Sequence, residues 1–131
     1  MKSTKAQAAR WLSRCIQKDQ LDQKQDEPRQ KDYFFVVEGF CKVAPVFFIT
    51  RQEQGLCFGY HTNQVERVQK NELHWDELLQ LHPFERKNLI LNLFMTMIRA
   101  RKKQYRTCQR CHDKFPPEAK YNLVTCLLCA P

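Results

Sequence analysis

Residues 33–60 read YFFVVEGFCKVAPVFFITRQEQGLCFGY, and the fold class turns on them. Residues 33–40, 46–50 and 56–60 are rich in Phe, Tyr, Val and Ile, and Pro45, Gly55 and Asn63 punctuate the segment. Aromatic and β-branched side chains suit a pleated, half-buried surface, so each run predicts a strand. A weaker fourth strand is predicted around residues 64–68, where Val65 and Val68 alternate loosely. The connections are short, which favours an antiparallel meander. The aromatics could in principle stack on bases, as in sheet-based RNA binders. Residues 33–97, however, carry six basic and seven acidic side chains and no aromatic-plus-basic signature. Phe34, Phe35, Phe47 and Phe48 are therefore assigned to the core.

Helical patterns flank this block. With Ser3 or Thr4 as N-cap, residues 1–18 form an amphipathic helix. Ala8, Trp11, Leu12, Cys15 and Ile16 make its apolar stripe, and Lys5, Arg10, Arg14 and Gln17 lie opposite. Packing onto its own core is the expected use of that stripe, with docking on a protein partner or a membrane surface as the alternative. Residues 19–32, DQLDQKQDEPRQKD, have almost no apolar content and read as a solvated linker. On the far side, Asn71 is placed as the cap of a helix over residues 72–81. Pro83 suits the first position of a longer helix, residues 83–105. The middle of that helix, NLILNLFMTMI, is apolar nearly all the way round and too short to span a bilayer. It is expected to run through the core, and residues 33–105 form one α+β domain.

The end of the chain is of another kind. Cys108 and Cys111 form one C-x2-C pair, and Cys126 and Cys129 form a second. Thiolates three residues apart on a tight knuckle can face one metal ion, and two such knuckles complete a tetrahedral sulfur shell. A segment as short as residues 106–131 cannot bury an adequate apolar core, so a structural Zn2+ is expected to cross-link it. A redox dithiol pair and a two-iron cluster are the alternatives. Four protein ligands close the site, leaving no open position for a catalytic water. His112 could replace a cysteine, but an exposed polar role is expected. Cys15, Cys41 and Cys57 lie among apolar neighbours and read as small buried side chains.

The overall architecture expected is thus α+β, with an N-terminal helix, a small antiparallel meander, a helical pair and a C-terminal four-cysteine zinc ribbon. Charge is concentrated at the same end. Of the net +8, residues 98–131 contribute +6 and residues 1–32 contribute +3, against −1 from residues 33–97. Immediately before the first knuckle runs RARKKQYR, residues 99–106. Five cations in eight residues exceed what complementing a helix dipole requires. They predict a polyanion partner, RNA or DNA, bound with little sequence specificity. The candidate contacts are Arg99, Arg101, Lys102, Lys103, Arg106, Arg110 and Lys114.

The order of a basic run, the knuckle Cys108-Gln-Arg-Cys111, then Phe115-Pro116-Pro117 and a second cysteine pair resembles the small cysteine-rich nucleic-acid-binding proteins of carlaviruses and allexiviruses. The resemblance covers residues 99–129. It implies a zinc finger and basic run that bind RNA or DNA, and a viral suppressor of RNA silencing. The last pair departs from it, since C-x2-C stands here where a wider spacing is expected. The same rhythm is similar to generic zinc ribbons of bacterial and phage proteins. That likeness implies the alternative function, a zinc-ribbon adaptor for a protein partner.

With only three glycines, neither G-x-G-x-x-G nor a Walker A loop can be written, which excludes the common nucleotide-binding enzyme classes. His61, His74 and His82 have no nucleophile or carboxylate at a recognisable spacing, and no catalytic residue is assigned. The polar start of the chain predicts no signal peptide. A reducing compartment, cytoplasmic or nuclear rather than secreted, fits the unpaired cysteines.

Overall fold

The computed structural model describes residues 3–25, 30–62 and 67–131. Helix α1, Thr4–Asp19, starts where the Ser3 side chain accepts the Ala6 N–H and stops at Gln20, a left-handed residue that closes the last turn. A four-stranded antiparallel sheet follows in the order β1 (Lys31–Val36), β2 (Val46–Arg51), β3 (Gly55–His61) and β4 (Arg67–His74). Next come α2, Trp75–Leu78, and the long helix α3, Pro83–Lys103, whose first residue is the proline expected there. The α+β meander is thus observed.

One face of the sheet makes the core. Tyr33, Phe35, Phe47, Ile49, Leu56, Phe58, Tyr60 and Leu73 alternate inward. They pack with Ala8 and Leu12 of α1 and Ile90, Leu91, Phe94 and Ile98 of α3. Phe94 is the hub: its ring stacks on Trp11 at 5.2 Å and meets Phe35, Phe47 and Phe58 at 5.8–6.4 Å. Burying the rings this way removes large apolar areas from water and adds edge-to-face attraction. The apolar stripe of α1 is used in this packing, with Ala8 and Leu12 buried and Trp11, Cys15 and Ile16 partly buried against the core.

Several expectations change. Strand β1 begins at Lys31 and ends at Val36, because the chain turns at Gly39, whose φ of 80° ends the extended run. Phe34 and Phe48 point to the other face of the sheet. Phe34 is 49% exposed, while Phe48 is covered by the Arg67 guanidinium, 4.2 Å from its ring, and by His61. The fourth strand runs further than predicted, to His74. Residues 71–74 are strand rather than the start of a helix, since Leu73 pairs with Leu56 and fills the core. Cross-strand burial overrides the capping signal of Asn71, and only one helical turn remains at α2. The predicted start at residues 64–66 lies outside the described residues.

The 19–32 segment, of which residues 26–29 lie outside the described residues, is not a fully solvated linker. Leu21 and Asp22 are buried, and Asp22 is held by Arg86 of α3. Arg86 donates to the carbonyls of Leu78, Leu81 and Asp22 and pairs with the Asp22 carboxylate at 3.7 Å. A buried guanidinium needs such partners, and here they stitch the segment to two helices. Among the described residues no helix is long and apolar enough to cross a membrane.

Candidate metal centre and basic module

Past α3 the chain forms two minimal hairpins. Strand β5, Arg106–Thr107, pairs with β6, Lys114–Phe115, and the first cysteine knuckle is the loop between them. A 3-10 turn, Pro117–Ala119, leads into β7, Lys120–Asn122, which pairs with β8, Thr125–Cys126. A second 3-10 turn, Leu127–Cys129, carries the last ligand candidate. The two hairpins are joined by the Gln109 N–H to the Val124 carbonyl at 2.8 Å. The apolar cluster of this segment is Cys108, Phe115 and Cys126, with Cys129 against it. Three or four side chains are far too few to stabilise such a segment.

The first knuckle closes through its backbone. The Cys108 N–H donates to Asp113 O at 2.8 Å, and the His112 N–H donates to Cys108 O at 3.0 Å. His112 takes φ 61°, the left-handed conformation that lets the chain leave the knuckle. Its ring is exposed and outside the sulfur cluster, as expected for a non-ligand.

The Sγ atoms of Cys108, Cys111, Cys126 and Cys129 all lie within 4.8 Å of one another, and the Cys111–Cys126 pair is 3.8 Å apart. A tetrahedron with metal–sulfur bonds of about 2.3 Å requires sulfurs about 3.8 Å apart, so the donor set fits a tetrahedral thiophilic ion. The four cysteines therefore form a cluster that could hold a metal. Electrostatics point the same way. Backbone N–H groups of Cys111, Cys126 and Arg110 hold the Cys108 thiol down at about 6. Hydrogen bonding to Cys126, burial and the neighbouring thiols push Cys129 up to about 12. The Cys108 thiolate forms readily, whereas that of Cys129 is opposed by its neighbours. A divalent cation removes that opposition.

The predicted contact residues divide. Arg99 and Lys103 are exposed, four residues apart on one side of the last turns of α3. Arg106, Arg110 and Lys114 are exposed on the module. The Arg110 guanidinium reaches the Cys129 carbonyl at 3.3 Å, and the Lys114 ammonium lies 4.8 Å from the Phe40 ring. Lys102 is half-buried, with its ammonium 4.7 Å from the same Phe40 ring and 3.4 Å from Thr4 Oγ1.

Arg101 is a correction. It does not project into solvent but is 4% exposed, paired through Nη2 with Glu118 Oε1 and through Nη1 with Glu118 Oε2 at 3.2 Å. Its guanidinium also lies 4.4 Å from the Tyr60 ring and 5.2 Å from Tyr105. Burial lowers its pKa, but the Glu118 hydrogen bond and charge outweigh this and leave it raised. A cation run on a helix places one member per turn inward, and the partner 17 residues on cannot be read from spacing. Arg101 is the clasp between the core and the cysteine module, not a contact residue. Tyr105, beside it, is pushed up to about 12, chiefly by burial.

Compared with family models, curated proteins and solved structures, the chain matches none of them.

Proposed function

We propose that the four thiolates hold one structural Zn2+ and that the module so folded binds the phosphate backbone of RNA or DNA. One observation carries the second half. Beyond residue 97 the chain has eight cations and only two acids, Asp113 and Glu118, and both acids are engaged internally. Glu118 pairs with Arg101, and the Asp113 carboxylate accepts the Lys42 backbone N–H at 3.3 Å. Among the described residues Arg99, Lys103, Arg106 and Lys120 form no ion pair, so their charge faces solvent uncompensated. Such a surface attracts polyanions by counterion release. The role is binding, not catalysis, since a closed four-sulfur site offers no position for substrate.

When bound, zinc supplies the cross-link that the small apolar cluster cannot. Arg110 and Lys114, next to the knuckles, offset the formal −2 of a four-thiolate zinc site. The likeness of residues 99–129 to the carlavirus and allexivirus proteins supports, as a proposal, RNA binding in the suppression of RNA silencing. A second reading, docking of an acidic protein partner, is favoured by the exposure of Leu123, Leu127 and Leu128, at 66%, 54% and 94%.

Metal analysis of the purified chain should find close to one zinc, lost in Cys108→Ser and Cys126→Ser. Binding of single-stranded oligonucleotides should weaken with salt, the logarithmic slope being at most about −4 for six phosphate contacts. Alanine at Arg99, Lys103, Arg106 and Arg110 together should abolish binding; unchanged affinity would sink the nucleic-acid reading and leave the adaptor.

A further inference from the structure

The first hairpin, the 3-10 turn and β7 enclose a cleft of about 260 Å3 beside the end of α3. Phe115 forms part of its lining, and Pro117 and Leu123 add apolar surface. Its polar lining consists of Arg106, Lys120, Gln104 and Asn122, with no acid among them.

The two amides are polarised by the fold. Gln104 Oε1 already accepts from Arg101 Nη1 at 2.9 Å, and Asn122 Oδ1 accepts the Val124 N–H at 2.9 Å. Each amide thus has its oxygen engaged and its NH2 group free to donate. Arg106 and Lys120 are exposed and, among the described residues, have no ion-pair partner. The free side-chain capacity of the cleft is thus mostly donor, and two of the donors are cationic. A ligand matching this set must be anionic, rich in acceptors and flat enough to lie against Pro117 and Leu123.

The geometry points to a nucleotide-binding cleft for a single unpaired nucleotide of a single strand, a proposal that rests on the nucleic-acid reading above. Arg106 and Lys120 take the phosphodiester, the base lies on Pro117 and Leu123, and the Gln104 and Asn122 amides donate to acceptor atoms on its edge. A cleft of this size holds one nucleotide and not a helix, so a base must be unstacked and unpaired to enter. Affinity for a single strand therefore exceeds that for a duplex of the same length. Bases with two edge acceptors, such as uracil, fit better than adenine, whose exocyclic amine is itself a donor.

Two near-isosteric changes reverse the cleft's chemistry without touching its scaffold. Gln104→Glu keeps an oxygen for Arg101, and Asn122→Asp keeps one for the Val124 N–H. Each replaces the free NH2 by an acceptor. Gln80→Glu with Gln17→Glu, both exposed and outside the cleft, introduces the same charge as a control. The probes are fluorescein-labelled oligo(U), oligo(A) and an RNA duplex, read by anisotropy with the zinc-loaded chain. Metal content is checked for every variant. Oligo(U) should bind more tightly than oligo(A) or duplex. Gln104→Glu with Asn122→Asp should weaken oligo(U) binding about ten-fold or more, while the control pair changes it far less. If the cleft variant retains metal and binds oligo(U) within about two-fold of the parent, the cleft is not the site, although binding through the other cations still stands. If the parent binds duplex as well as single strands, the one-nucleotide cleft is likewise overturned. No binding of any probe at low salt refutes the nucleic-acid reading itself.

Discussion

Glu118→Ala tests the clasp between the two parts of the molecule. Arg101 is 4% exposed and the Glu118 side chain 16%, so their ion pair is shielded from solvent. Removing the carboxylate leaves a buried guanidinium without a counter-charge, beside the Gln104 amide oxygen and the rings of Tyr60 and Tyr105. Breaking a buried pair from one side costs about 3–5 kcal/mol, because the remaining charge is desolvated without compensation. The partial exposure of Glu118 places the expected loss near the lower end, about 3 kcal/mol. For a chain of this size that is about a 10 °C fall in Tm. Urea and thermal unfolding of the zinc-loaded protein, followed by circular dichroism, provide the measurement. Arg101→Met removes the stranded charge while filling a similar volume, so adding it to Glu118→Ala should recover much of the loss. The double variant should be clearly more stable than the sum of the single effects allows. A loss below about 1 kcal/mol for Glu118→Ala, or simple additivity, would refute the clasp.

Three further outcomes follow from individual contacts. A Cβ on Gly59 would stand 2.2 Å from the Val68 carbonyl oxygen and 2.4 Å from the Phe48 ring, so Gly59→Ala should cost about 1–3 kcal/mol in urea unfolding. His112→Gly should retain the metal in elemental analysis and raise stability by up to about 1 kcal/mol, because glycine adopts φ 61° without strain. Loss of metal in that variant would make His112 a ligand after all. Asp32 is raised by burial but lowered on balance by hydrogen bonds from Thr50 and Arg67. A depressed carboxyl stabilises the fold above the ordinary Asp range, and that contribution is lost as pH falls through the folded value. Asp32→Asn should therefore cost about 0.5–1 kcal/mol near pH 7, discounted for the solvent that reaches the pair, and the gap should close in acid. A gap that persists at pH 2 would contradict this.

The sequence alone settled what local periodicity and spacing can carry. Ser3 capping α1, Pro83 opening α3, three of the four strands and the cysteine quartet were all legible. Each depends on neighbours within a few residues or on a ligand spacing that metal chemistry restricts. Long-range pairing was not legible. Leu73 became strand because Leu56 lies opposite it, and Asp22 was buried because Arg86 reaches it from α3. Arg101 is the clearest case: in sequence it is one of five equivalent cations. Only the tertiary structure set it apart, by bringing Tyr60, Tyr105 and Glu118 around one turn of a helix.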